Sequence, residues 1–139
     1  MNFLNRYADT VYCIMRLIIG LMFFCHGAQK ILGWFPDPKH AAGPLPPLML
    51  LGGWVELVCG LLLAVGLLTR IAAFLASGEM AVGFFMFHAS GGSLVPLVNH
   101  GELAVAYCFL FLFIFFYGPG AWSIDGLIAR SRGAQTAPA

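Results

Sequence analysis

The chain has 139 residues, of which 60% are hydrophobic and 9% are charged, and its formal net charge is +1. A mean hydropathy of +0.88 lies far above the range of soluble globular domains and predicts an integral membrane protein. The small net charge and the lack of a basic run argue against nucleic acid as a partner. The length fits a single membrane domain over residues 1–139 and excludes an additional soluble catalytic module.

Four apolar segments approach the 20 or so residues that a membrane-spanning helix requires. In chain order they cover residues 11–32, 48–68, 71–89 and 102–117. The predicted fold class is therefore all-α, an integral membrane four-helix bundle. The first segment is expected to remain in the protein, because Arg16 interrupts it and no small-residue cleavage site follows it.

The distribution of Lys and Arg predicts the orientation of these helices. One side would carry the greater number of basic residues, namely Arg6, Arg70, Arg130 and Arg132, against Lys39 on the other. Because basic residues favour the cytoplasmic side, both termini are expected in the cytoplasm. The predicted location is the bacterial plasma (inner) membrane, as a multi-pass protein whose main partner is the lipid bilayer. The tail, residues 123–139, is expected to begin with a short helix on the inner surface, capped by Ser123 or Asp125.

The first two apolar segments each have a face of small residues. Gly20 and Gly27 lie on the same side of the first segment as its ionisable residues, at about 100° per residue. On the second segment, Gly52 and Gly60 lie four residues before and after Glu56. Since small residues let membrane helices approach closely, these two faces are expected to pack together.

The depths of the ionisable side chains, at about 1.5 Å per residue, predict two polar groups. The candidate outer polar cluster comprises His26, Lys30, Glu56, His88, His100 and Glu102. The candidate inner ion pair is Arg16 with Glu79. Charges at bilayer depth are costly and mark candidate functional sites. Two interpretations stay open: buried pairs that fix helix register, or protonatable groups that handle protons or hold a polar head group.

No metal site is predicted, because the sequence has no histidine pair on one helix and no Cys-His cluster of zinc spacing. His26, His88 and His100 could converge at the outer end as ligands for a metal or b-type haem, although hydrogen-bonded packing is the favoured interpretation. The cysteines form no C-x-x-C pair and are expected to act as small apolar residues.

Several motifs resemble those of the DoxX family. The first segment carries Arg16-Leu17-Ile18-Ile19-Gly20 and His26-Gly27-Ala28-Gln29-Lys30. The second carries Gly53-Trp54-Val55-Glu56, followed by Gly66-Leu67-Leu68-Thr69-Arg70. Met80, His88 and the closing stretch from Gly118-Pro119-Gly120 to Asp125 continue the resemblance, which extends over roughly residues 16–125.

The resemblance implies a small four-helix bacterial membrane protein, since that is the architecture of the family. Because a related DoxD-type subunit belongs to a thiosulfate:quinone oxidoreductase, it also implies a subunit or accessory of a quinone-linked redox or oxidative-stress system. No catalytic residue carries over, and no cofactor is visible in the sequence, although a quinone would suit the outer cluster. Partner redox subunits and a homo-oligomer are the expected assemblies. The alternatives are a small-molecule transport or permeation protein and a non-catalytic membrane scaffold subunit.

Overall fold

The computed structural model describes residues 2–35 and 44–135, and within these ranges all regular structure is helical. A 3-10 turn, Asn2–Leu4, precedes the first helix, and α3 continues through a π-helical turn, Phe84–His88, and a 3-10 turn, Ala89–Gly91. The α-helices are α1 (Asn5–Leu32), α2 (Pro47–Val65), α3 (Thr69–Gly83), α4 (Pro96–Asn99), α5 (Glu102–Tyr117) and α6 (Ile124–Gln135).

Three helical stretches are long and apolar enough to cross a membrane. They are Asn5–Leu32, Pro47–Val65 and Thr69–Gly91. The first three predicted spans therefore correspond to helices, although α2 ends at Val65 and not at residue 68, because Gly66 ends it in a left-handed conformation. The prediction began the first span at residue 11, because the preceding residues are more polar, whereas α1 already begins at Asn5. The fourth predicted span is α5, whose 16 residues extend about 24 Å, less than the roughly 30 Å of a bilayer core.

Glycines bring α1 and α2 into close antiparallel contact, as predicted for Gly20, Gly27 and Gly60, whereas Gly52 faces Glu79 of α3. A Cβ atom on Gly27 would overlap the backbone of Leu57, and one on Gly60 would overlap the backbone of Phe24. A Cβ atom on Gly20 would lie 2.5 Å from the backbone nitrogen of Ala64. Only glycine therefore fits at these positions, and the contact fixes the register between the two helices.

The other long helices complete the core. α3 packs against α5 and also against α2. Phe23 of α1 lies fully buried in the middle, with its ring centroid 4.6 Å from that of Phe111 and 5.5 Å from that of Tyr107. Many large apolar side chains on the outside remain exposed, Phe74, Phe109 and Phe116 among them. An exposed apolar surface of this extent is expected of a protein that faces lipid.

The two ends of the molecule differ in structure. We call the end with the α2–α3 turn and α6 the tail end, and the end with the α1–α2 connection and α4 the loop end. At the tail end, Arg16 is 1% exposed and donates hydrogen bonds to the backbone carbonyls of Leu63, Ala64 (3.0 Å) and Trp122 (2.5 Å). A single guanidinium therefore joins α1 to the end of α2 and to the segment before α6.

Ser123 and Asp125, on either side of the start of α6, also close the tail end through two caps. The Ser123 hydroxyl accepts a hydrogen bond from the Gly126 N–H at 3.1 Å and so caps α6. The Asp125 carboxylate accepts bonds from the N–H groups of Leu68 and Thr69, both at 2.9 Å, and from the Thr69 hydroxyl at 2.8 Å. The predicted cap of α6 is confirmed for Ser123, whereas Asp125 caps the start of α3 instead.

Candidate functional site

A cavity of about 630 Å³ opens in the loop-end half of the molecule, between α1, α2, α3 and α5. Its volume lies within the roughly 300–1,000 Å³ of small-molecule sites, and most of its lining is apolar. Its polar lining comes from His26, Lys30, Glu56, Glu79, His88, His100 and Tyr107. We call this space the loop-end cavity.

An ion pair joins α1 to α2 at the wall of the loop-end cavity. The Lys30 ammonium donates to Glu56 Oε1 at 2.7 Å, with the Lys30 side chain 30% exposed and the Glu56 side chain 5% exposed. Gly53 allows the approach, since a Cβ atom there would lie 3.1 Å from Lys30 Cβ. The buried carboxylate is therefore compensated by a cation that can still reach polar surroundings.

Three buried oxygens in the lining have no hydrogen-bond partner within residues 2–35 and 44–135. They are Glu56 Oε2, Glu79 Oε2 and the Tyr107 hydroxyl, and they come from α2, α3 and α5. Most buried polar side-chain atoms in proteins are paired, and an unpaired one costs about 1–3 kcal/mol. Three residues that line the loop-end cavity therefore each carry a buried oxygen without a partner, within walls that suit apolar groups.

Of the two cluster members on α1, His26 and Lys30, the structure pairs Lys30 with Glu56. His26 instead packs edge-on against Tyr107, with ring centroids 6.2 Å apart at 88°. Lys30 lies one helical turn beyond His26 on the same face, so the longer lysine side chain reaches the carboxylate. Both residues line the loop-end cavity together with Glu56.

The remaining predicted members of the outer cluster lie near the loop end. His88 and His100 line the loop-end cavity, and His88 Nδ1 lies 3.1 Å from the carbonyl oxygen of Asn99. Glu102 does not line it and is exposed in the first turn of α5. Tyr107 follows Glu102 by five positions on α5, which places their side chains about 140° apart around the helix. Glu102 therefore lies at the loop end, as its depth predicted, but outside the lining of the cavity.

The predicted ion pair of Arg16 with Glu79 is wrong. Arg16 contacts Leu63 and Ala64 at the end of α2, whereas Glu79 Oε1 would lie 3.0 Å from a Cβ atom on Gly52. Leu63 and Gly52 are 11 residues apart, or about 16 Å along α2. The glycine contacts set the register of α1 and place Arg16 beside the α2–α3 turn, while α3 carries Glu79 back to the level of Glu56.

Two members of the loop-end cavity lay outside the predicted outer cluster. Glu79 was assigned to the other half of the bundle, and Tyr107 was not selected. A signal for Tyr107 was present, because it carries the sole hydroxyl in the apolar run from Leu103 to Phe116. A buried tyrosine usually finds a hydrogen-bond partner for that hydroxyl, which makes it a candidate for a polar site.

Among the described residues, no group of three or more His, Cys, Asp or Glu side chains could hold a metal ion. His26, His88 and His100 therefore share a cavity without forming a ligand set. Cys13 and Cys59 are buried free thiols, whereas Cys25 is exposed and Cys108 is partly buried. The arrangement suits a small amphipathic molecule, with its apolar part against the walls and polar groups at the unpartnered oxygens.

Comparisons with known proteins agree with the helical structure. The DoxX family model matches residues 11–89. An uncharacterized protein of Haemophilus influenzae is 39% identical over 90% of this chain and 96% of its own length. An uncharacterized membrane protein of Mycobacterium tuberculosis is 31% identical over 87% of this chain and 82% of its own length. No solved structure shows a significant match. The family match over more than half of the chain, the membrane-protein relative and the apolar helices together show that this protein is a multi-pass bacterial membrane protein of the DoxX family.

Proposed function

We propose that the loop-end cavity binds the head group of a membrane-soluble quinone or quinol, and that the protein is a subunit or accessory of a quinone-linked redox system. The observation that carries this proposal is that Glu56, Glu79 and Tyr107 line one largely apolar cavity and that each has a buried oxygen without a hydrogen-bond partner among the described residues. A quinone or quinol head group has an apolar ring with an oxygen at each end. It would fill the cavity and use these polar atoms.

The side chains around the cavity offer both kinds of hydrogen-bonding group. Carboxylates accept from a quinol hydroxyl, whereas the Lys30 ammonium and an imidazole N–H can donate to a carbonyl. Phe87 provides accessible aromatic surface for a ring, and the buried rings of Phe23 and Tyr107 lie behind the cavity wall. The protein would thus hold and orient the head group, and a separate redox subunit would exchange its electrons.

We also propose that α5 crosses the membrane, which would complete a four-helix bundle with both termini in the cytoplasm. Arg6, Arg70 and Arg130 all belong to the tail end, and Lys39 lies outside the described residues. The positive-inside rule then places the tail end in the cytoplasm. Fusions of alkaline phosphatase or a fluorescent protein after residue 139, and within residues 36–43, should report opposite sides of the membrane. Reporters on the same side would contradict this topology.

We favour a binding site at the loop end over a transport path through the bundle of a single molecule. At the tail end, Arg16, Ser123 and Asp125 tie α1, the α2–α3 turn and α6 together by hydrogen bonds. A path across the membrane would have to open these contacts. A scaffold subunit would not require the loop-end cavity. The unpartnered oxygens would then lower the stability of the protein without contributing to its function.

The direct test is to purify the protein in mild detergent, extract it with solvent and measure quinone by mass spectrometry. We expect about one quinone or quinol per protein, and less in Glu79→Gln, Tyr107→Phe and the double variant. Glu102→Gln is the matched control, because Glu102 is exposed and does not line the cavity. Protein that contains no quinone, and takes up none in quinone-loaded lipid nanodiscs, would overturn the proposal and favour a scaffold role.

A further inference from the structure

We infer that residues 93–101, which connect the third membrane span to α5, lie in the interfacial layer of the membrane, where the lipid head groups meet the acyl chains. We call these residues the interfacial segment. Its position, its exposed side chains and its backbone hydrogen bonds carry the inference. The inference goes beyond the proposed function, because it does not depend on a quinone in the loop-end cavity.

The interfacial segment runs back beside the end of the third span, which continues to Gly91. His88 Nδ1 lies 3.1 Å from the carbonyl oxygen of Asn99. A Cβ atom on Gly101 would lie 2.7 Å from the ring of Phe84. Phe84 precedes Gly91 by seven positions, or about 10 Å along a helix. The chain therefore returns towards the interior of the bilayer before α5 begins.

The side chains that the interfacial segment leaves exposed are large and apolar. They are Leu94 (69% exposed), Val95 (54%), Leu97 (70%) and Val98 (64%). No charged side chain occurs in residues 89–99. Phe85 and Phe87, in the last turns of the third span, are also more than half exposed. The apolar exterior that faces lipid around the bundle thus continues without a break onto the interfacial segment.

The backbone of the interfacial segment forms hydrogen bonds within the segment, as a chain must where water is scarce. Five N–H groups donate in this way, those of Val95, Val98, Asn99, His100 and Gly101. The Asn99 side chain forms two of the bonds that close the segment. Its Nδ2 donates to the Ser93 carbonyl at 2.9 Å, and its Oδ1 accepts from the Gly101 N–H at 2.9 Å. Pro96 has no N–H group that would need a partner.

The interfacial segment would also account for the short length of α5. The 16 residues of α5 extend about 24 Å, whereas the bilayer core is about 30 Å thick. A self-paired segment with apolar side chains can lie in the layer that α5 does not reach. His100 follows α4 directly and lines the loop-end cavity, so the segment would hold this histidine at the membrane surface.

The test attaches the small fluorophore bimane to Leu97→Cys in lipid nanodiscs and compares two quenchers. One is a nitroxide near the upper end of the lipid acyl chains, and the other is iodide in the water. Labelled wild type gives the signal of the native cysteines, which is subtracted. Ser90→Cys is the matched control, because Ser90 is exposed at the same end, in the turn before the segment.

An anchored side chain lies about 5–10 Å below the head groups, so we expect the nitroxide lipid to quench Leu97→Cys roughly threefold more than Ser90→Cys. Iodide should show the opposite order. Val98→Cys repeats the measurement at a second exposed position, in case Leu97→Cys folds poorly. Equal quenching by iodide at positions 90, 97 and 98 would place the segment in water and overturn the inference. Positions reached by neither quencher would also overturn it, since the segment would then be covered by protein.

Asn99→Ala, combined with Leu97→Cys, tests the contribution of the side-chain hydrogen bonds. The variant leaves the Ser93 carbonyl without its donor, and an unpaired carbonyl is costly away from water. We expect quenching by iodide at position 97 to rise and quenching by the nitroxide lipid to fall. Unchanged quenching by both would overturn the role assigned to Asn99.

Discussion

Lys30 and Glu56 form an ion pair between α1 and α2, and only one of the two carboxylate oxygens takes part in it. Oε1 lies 2.7 Å from the lysine ammonium, while Oε2 is buried and unpartnered at the wall of the loop-end cavity. The same residue therefore has one oxygen in an interhelical ion pair and one buried oxygen without a partner, and it also lines the cavity. Substitutions that separate these two roles are the most informative ones.

Glu56→Gln is expected to change ligand binding more than stability. The amide oxygen still accepts a hydrogen bond from Lys30, so we expect a loss below about 1 kcal/mol in the free energy of unfolding. Glu56→Ala removes the acceptor and leaves space behind it, with an expected loss of roughly 2–4 kcal/mol. The folded fraction of both variants after heating in detergent, measured by size-exclusion chromatography, gives the comparison. Equal losses in both variants would mean that the charge itself holds the helices together.

Gly27→Ala is expected to destabilise the protein strongly. The added Cβ atom would overlap the backbone of Leu57, and backbone atoms cannot rotate away as a side chain can. Overpacking usually costs about 1–3 kcal/mol, so the yield of folded protein in membranes should fall. Gly78→Ala on α3 is the matched control, because its Cβ atom would meet no atom within 4 Å. A control yield as low as that of Gly27→Ala would contradict this explanation.

Arg16→Ala is expected to lower the folded yield regardless of the residue at position 79. Arg16 donates hydrogen bonds to the carbonyls of Leu63, Ala64 and Trp122. Glu79 lies about 16 Å further along the bundle. The losses in the free energy of unfolding that arise from substitutions at separate sites usually add to within about 0.5 kcal/mol. The double variant Arg16→Ala with Glu79→Ala should therefore lose the sum of the two single losses. Recovery of folded protein in the double variant would show that the two residues are coupled.

The Asp125 cap predicts a dependence of stability on pH. Partial burial alone would raise the pKa of Asp125, but hydrogen bonds from Thr69 and Leu68, with Arg16 nearby, lower it below its ordinary value. The unfolded chain would take up this proton near pH 3.9, and the folded protein only at lower pH. The stabilisation is therefore fully present at neutral pH and is lost as the pH falls below about 4.

Asp125→Asn tests this dependence, because asparagine can still cap a helix but does not titrate. The melting temperature of the wild type in detergent should exceed that of Asp125→Asn at pH 7, and the difference should shrink as the pH approaches 3. Asp125→Ala removes the cap altogether, with an expected loss of about 1 kcal/mol at neutral pH. A difference between wild type and Asp125→Asn that is constant from pH 7 to pH 3 would contradict the lowered pKa.

The candidate site could be predicted in part from helical phase. Lys30 and Glu56 each lie on a glycine-containing face, and two such faces in neighbouring helices must approach closely, so their contact follows from local spacing. Glu79 and Tyr107 could not be placed in the same way. Their depth depends on where α1 begins, on the sharp turn at residues 66–68, and on how far α5 is shifted along α3.

The sequence by itself determined that the chain is helical and lies in a membrane, because apolar segments of this length must satisfy their own backbone hydrogen bonds in lipid. It also determined which helix faces are small and polar, since helical periodicity is a local property. Only the tertiary structure decided which ionisable groups lie at the same depth along the helix bundle. Register between helices is set by contacts such as Gly27 with Leu57 and Asp125 with Thr69, which join residues far apart in the chain. Because of those contacts, Arg16 lies at the tail end and Glu79 lies beside Glu56 at the loop-end cavity.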